Sequence, residues 1–145
     1  MAVVAVAVGV LACAGAAVAA SKVEPGSYSG TLAAPRTEIK IKFKVSSNGK
    51  QVTALTISNA PLYCAGGGAP RSTRFANATI SKSGTFTSTG KYVIIEGPFK
   101  GQVASRLKIT GTFLGGGRER GELTTKLLKA PADCSGTSSY STTKG

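Results

Sequence analysis

Residues 38–45 alternate without a break: Ile39, Ile41, Phe43 and Val45 interleave with Glu38, Lys40, Lys42 and Lys44. Successive side chains of an extended chain point to opposite faces, so this period of two predicts a half-buried strand with its lysines outward. Ser47-Asn48-Gly49-Lys50 follows. Asn-Gly between two such runs predicts a hairpin, because both residues tolerate positive φ. The return strand, residues 51–58, slips in phase: Val52 and Ala54 fall on one face, Leu55 and Ile57 on the other. A β-bulge near Ala54 is the expected cause.

The same pattern recurs downstream. Short strands are predicted at residues 75–81, 85–89 and 92–95. Further on, Val103, Ser105, Leu107, Ile109, Gly111 and Phe113 share one face, with Arg106, Lys108, Thr110 and Thr112 opposite. Gly115-Gly116-Gly117 turns the chain into Gly121, Leu123, Thr125 and Leu127 on one face and Glu122, Thr124 and Lys126 on the other. Nothing beyond residue 20 has a helical period. Short strands at regular spacing, separated by Gly turns, predict an all-β fold: a single antiparallel sandwich or small barrel of about seven to nine strands.

The first 20 residues stand apart. Residues 2–20 are almost wholly Ala, Val, Leu and Gly, with no charge before Lys22, and end in Ala17-Val18-Ala19-Ala20-Ser21. Small residues closing an apolar run match a signal-peptidase site, although the usual positive n-region is missing. The expectation is a signal peptide at 1–20 and one secreted β-domain at 21–145, exported or associated with the cell envelope. Val10-Leu11-Ala12-Cys13 is an imperfect lipobox and makes a lipid anchor at Cys13 the secondary reading. Cys64 and Cys134 are then the only cysteines of the mature chain, and an even pair in an oxidising compartment reads as one disulfide.

Charge changes the picture next. Eighteen Lys and Arg against six acidic residues give a formal net charge of +12. Such an excess favours anionic partners, and an anionic envelope polymer or lipid surface is the expected one. The plain alternative is that scattered lysines only solubilise exposed strand faces. A specific nucleic-acid partner is not expected, since the chain has no Trp and few aromatic residues beside its basic ones. Candidate anion-binding residues are Lys40, Lys42 and Lys44, with Arg106, Lys108 and Lys126 facing outward by the same alternation. Two Gly-rich loops followed by arginines add Arg71 and Arg74 after Gly66-Gly67-Gly68, and Arg118 and Arg120 after Gly115-Gly116-Gly117, since exposed N–H groups beside guanidinium forks suit phosphate. Neither loop matches a phosphate-binding fingerprint.

Catalytic chemistry has little to work with. There is no histidine, which excludes Ser-His-Asp and Cys-His systems and imidazole-bearing zinc sites. Glu119 and Glu122 are three apart, and the expectation is that both are solvated charges beside Arg118 and Arg120. No cofactor, metal or catalytic residue is expected, and the domain is read as non-enzymatic. A secreted inhibitor or ligand-binding barrel working through end loops is the competing reading.

The run Gly26, Tyr28, Gly30, then Ile41, Phe43 and Val45 with Gly49-Lys50 and Val52, then Cys64, Gly84-Thr85-Phe86, Gly111-Thr112-Phe113, Cys134-Ser135-Gly136 and Tyr140 resembles a group of small secreted bacterial β-proteins. It is similar to them over nearly the whole mature chain, although they usually carry Trp where Tyr140 stands. The resemblance implies the β fold, export and the Cys64 to Cys134 bridge. It implies no activity and no catalytic residue.

Overall fold

The computed structural model describes residues 23–35, 37, 39–58, 71–128 and 136–145. The segment 1–20 expected to be a leader and all three cysteines lie outside the described residues, as does Gly66-Gly67-Gly68.

Nine strands follow one another: β1 (Gly26–Leu32), β2 (Lys40–Val45), β3 (Gln51–Ser58), β4 (Arg71–Phe75), β5 (Ala78–Thr79), β6 (Thr85–Ile94), β7 (Val103–Gly115), β8 (Arg118–Leu127) and β9 (Gly136–Lys144). They form one antiparallel sheet in the order β4-β6-β7-β8-β9-β1-β2-β3-β5. Its two ends meet. The Thr73 hydroxyl on β4 donates to the Ile57 carbonyl on β3 at 3.1 Å and accepts from the Ile57 N–H at 3.4 Å. The two-residue β5 pairs with β3 beside it. Eight antiparallel strands therefore make a nearly closed barrel, which leaves no long free edge.

Alternation decides what fills it. On β2, Ile41, Phe43 and Val45 are buried and Lys40, Lys42 and Lys44 exposed. On β7, Ser105, Leu107, Ile109, Gly111 and Phe113 point inward. Tyr28 and Phe43 stack at 5.1 Å, and Phe86 and Phe113 pack against them from the opposite wall, with centroids 5.4 to 6.2 Å apart. These rings plug the lumen at that level. Inward positions are mostly apolar and outward ones mostly Lys, Arg, Ser and Thr, the reverse of the alternation in a barrel that crosses a bilayer. No helix among the described residues is long and apolar enough to cross a membrane.

The expected bulge is present. The β2–β3 register shifts between Lys42 and Lys44, and Ala54 has a φ of 51°. Three other expectations change. The Ser46–Gly49 turn has positive φ at Gly49 but not at Asn48, whose side chain instead accepts from Ser46 Oγ and the Lys50 N–H. The strand expected at 75–81 is divided, with β4 ending at Phe75 and the short β5 crossing to β3. The two strands expected at 85–89 and 92–95 are one: Gly90 lies within β6, opposite Phe75 of β4 and Leu107 of β7.

Strand direction separates two ends. One holds the 46–50 turn, the 116–117 turn and the chain terminus after β9. The other holds the last residues of β1, β3, β6 and β8 and the 95–102 connection.

Candidate anion-binding interface

Strand register brings four basic residues into one row. Arg74 on β4 is the direct partner of Lys91 on β6, Lys91 of Arg106 on β7, and Arg106 of Lys126 on β8. Neighbouring strands lie about 4.8 Å apart, so the row spans roughly 14 Å across the strands. Lys91, Arg106 and Lys126 are exposed, as is Lys108 two residues along β7. Lys108 is flanked in register by Thr89 and Thr124. These side chains line an open cleft of about 780 Å³.

Little acid relieves them. The one ion pair among the described residues joins Lys144 to Glu24 at 3.1 Å, elsewhere on the barrel. Glu122 also faces outward; it lies about 13 Å along β8 from Lys126 but is the diagonal neighbour of Lys108, roughly 8 Å away.

The remaining candidates divide by position. Lys40, Lys42 and Lys44 do not join this row. In the ring of strands β2 and β7 are separated by three strands in either direction, so the lysines of β2 occupy the opposite wall. A single basic face uniting them with Arg106, Lys108 and Lys126 is therefore not formed: alternation puts both sets outside, but strand order puts them on different sides. Arg118 and Arg120 are exposed at the start of β8, and Arg120 is about 20 Å along the strand from Lys126. Gly115, Gly116 and Gly117 have φ of 81°, 59° and 65° and form a tight hairpin, with the Gly117 carbonyl accepting from the Lys144 N–H at 2.7 Å. It is a turn built on left-handed backbone. Arg71 is the register partner of Ile94 at the far end of β4.

Two residues of consequence had not been singled out as a site. Lys91 fell in the expected gap between two strands; once β6 is continuous, it shares the outward parity of Thr85, Thr87 and Thr89. Glu119 is a correction. Rather than lying solvated beside Arg118 and Arg120, it is 1% exposed and points into the barrel. Tyr140 Oη lies 2.7 Å from its Oε1, and Thr142 Oγ1 donates to its Oε2 at 2.7 Å. Burial pushes its carboxyl up to about 7 despite those two hydrogen bonds. Burial, then the neighbouring Glu119, pushes the Tyr140 phenol up as well.

Glu119 is shielded from solvent, so it is not a ligand for the outer wall. Among the described residues, no group of three or more His, Cys, Asp or Glu is placed to hold a metal. No protein-family model, curated protein or solved structure matches this chain.

Proposed function

We propose that this protein is an exported, non-enzymatic β-barrel that associates with phosphate-bearing envelope polymers through Lys91, Arg106, Lys126 and Lys108. One observation carries the reading: register sets Arg74, Lys91, Arg106 and Lys126 directly opposite one another. Like charges in directly opposed positions destabilise a sheet by a few tenths to about 1 kcal/mol per pair. The consecutive Lys91–Arg106 and Arg106–Lys126 pairs raise the free energy of the unliganded barrel, and a bound row of phosphates would relieve it. Thr89 and Thr124 beside Lys108 add hydroxyl donors suited to phosphate oxygens.

Titration with labelled poly(glycerol phosphate) at increasing salt tests this. Log affinity should fall linearly with log salt, because neutralised phosphates release counterions. The combined Lys91→Gln, Arg106→Gln, Lys126→Gln variant should show a shallower slope and a melting temperature no lower than the parent's, since repulsion has been removed. A variant that binds like the parent, or a parent that fails to bind at moderate salt, overturns the reading. Binding confined to anionic phospholipid vesicles would assign the wall to a lipid surface instead.

A competing reading, an inhibitor or ligand-binding barrel, is favoured by a different feature. Phe99 is 58% and Ile95 41% exposed on the 95–102 connection. That turn is held by Gly101 N–H to the Ile94 carbonyl at 2.8 Å and Gln102 N–H to the Phe99 carbonyl at 3.1 Å. With rings filling the lumen at the Phe43 level, a protein partner at Phe99 suits this reading better than a ligand inside. Loss of a captured partner in Phe99→Ser would support it.

The Cys64 to Cys134 bridge belongs to the same proposal. In sequence the two residues follow β3 and β8, strands that finish at the same end of the barrel on opposite walls.

A further inference from the structure

We infer that the barrel carries two separate polyanion tracks on opposite walls and holds two anionic chains at once. The inference rests on the reading above for the β6–β7–β8 wall and extends it to β2. There, Lys40, Lys42 and Lys44 are exposed and share one face, spaced by two residues, about 6.7 Å. Their register partners are all hydroxyl residues: Thr31, Ser29 and Ser27 on β1, and Ser58, Thr56 and Thr53 on β3. No acidic residue stands in these three rows, and none of the three lysines makes an ion pair among the described residues. This is a second uncompensated cationic strip, bordered by hydroxyl residues of which Thr53 and Thr56 donate to the Lys44 and Lys42 carbonyls at 3.5 Å. It runs along a strand, whereas Lys91, Arg106 and Lys126 run across strands.

Opposition is built into the topology. Three strands separate β2 from β7 whichever way the ring is followed. The walls are also fixed to one another, because Tyr28 and Phe43 on β1 and β2 pack directly on Phe113 of β7, and Phe43 on Phe86 of β6. Facing sheet walls stand about 10 Å apart before the outward side chains are added, so the two cationic strips are separated by well over the Debye length of about 8 Å at physiological salt. Two chains seated on opposite walls therefore repel each other weakly. One barrel can bridge them.

A two-step capture experiment tests this. Biotinylated polyphosphate is immobilised, the protein is loaded at low salt and excess is washed away, and fluorescent polyphosphate is then passed over. The parent should capture the second chain in proportion to the protein loaded. The combined Lys40→Gln, Lys42→Gln, Lys44→Gln variant should still load through the remaining wall and capture at least tenfold less, as should Lys91→Gln, Arg106→Gln, Lys126→Gln through the β2 wall. Both variants should melt within a few degrees of the parent. A parent that loads but captures nothing, or a β2 variant that captures like the parent, overturns the inference and leaves the single-wall reading standing. A parent that does not load at all removes both.

Discussion

Glu119 is held by a phenol that has one proton to give. Tyr140 Oη lies 2.7 Å from Glu119 Oε1 and 3.2 Å from the Thr110 carbonyl. If the carboxylate is ionised, the phenol donates to it and the second contact goes unused. If the carboxyl is protonated, it donates to the Tyr140 oxygen and the phenol donates on to Thr110, so both contacts are made. Geometry and desolvation thus favour the same neutral form, consistent with a carboxyl pushed up to about 7. The folded pKa lies above the ordinary value of 4.5, so the stabilisation is complete below pH about 4.5 and is lost as pH rises through 7. Melting temperature should therefore fall between pH 5 and 8, by an amount corresponding to on the order of 3 kcal/mol. Glu119→Gln should flatten that fall and exceed the parent at pH 8, whereas Glu122→Gln, on the exposed face of β8, should leave the slope as it is. Thermal melts across that range decide it, and a parent with no fall would show that the carboxyl is ionised in the fold at little cost. The inward direction of Glu119 was legible: Gly121, Leu123 and Thr125 define the core face of β8, and two residues back in the same phase stands Glu119. Its partners were not legible, because Tyr140 and Thr142 come from a strand that reaches it only through pairing.

Paired glycines let three strands sit close around that group. Gly111 on β7 and Gly121 on β8 are direct partners, flanked by Phe86 on β6 and Tyr140 on β9. A Cβ at Gly111 would meet the Glu119 carboxylate and the Phe86 ring. At Gly121 it would meet the Thr110 carbonyl and Tyr140 Oη. Aromatic rings occupying the space over strand glycines are a known way to stabilise them. Gly111→Ala and Gly121→Ala should each destabilise by about 1 to 3 kcal/mol, the cost of overpacking, with Gly121→Ala the worse because its obstacle includes backbone. Chemical denaturation measures this, and an unaffected midpoint for Gly121→Ala would mean that β7 and β8 separate more readily than their pairing indicates. Alternation alone assigns both glycines to the core face. It does not reveal their purpose, since a missing side chain shows no sign of what occupies its space.

Closure distinguishes the barrel from an open sheet, and it depends on small contacts: Thr73 with the Ile57 backbone, and two residues of β5 against β3. Cys64 and Cys134 would reinforce it. Cys64 stands six residues after Ser58 of β3 and Cys134 two residues before Gly136 of β9, and extended chains of those lengths reach about 20 Å and about 7 Å. That is enough to meet across the mouth. Linking positions about 70 residues apart should stabilise by about 4 kcal/mol in the chain-entropy model. Mass analysis after thiol labelling of denatured, unreduced mature protein should find no free thiol at either position. Two labelled cysteines per chain would remove the bridge, and reduction should otherwise lower the melting temperature by about 10 °C or more.

Alternation along the chain was enough to establish that this is an all-β protein, which residues face the core in most strands, and that the lysines and arginines of β2, β7 and β8 lie outside, because side-chain direction on a strand is a local property of the backbone. The bulge at Ala54 was legible for the same reason: an extra residue leaves its mark as a change of phase. Strand order and register are not local. They depend on which strands pair across the whole chain, and only the tertiary structure decided that Arg74, Lys91, Arg106 and Lys126 form one row, that Lys40, Lys42 and Lys44 occupy the far wall, and that Glu119 meets Tyr140 and Thr142 inside the barrel.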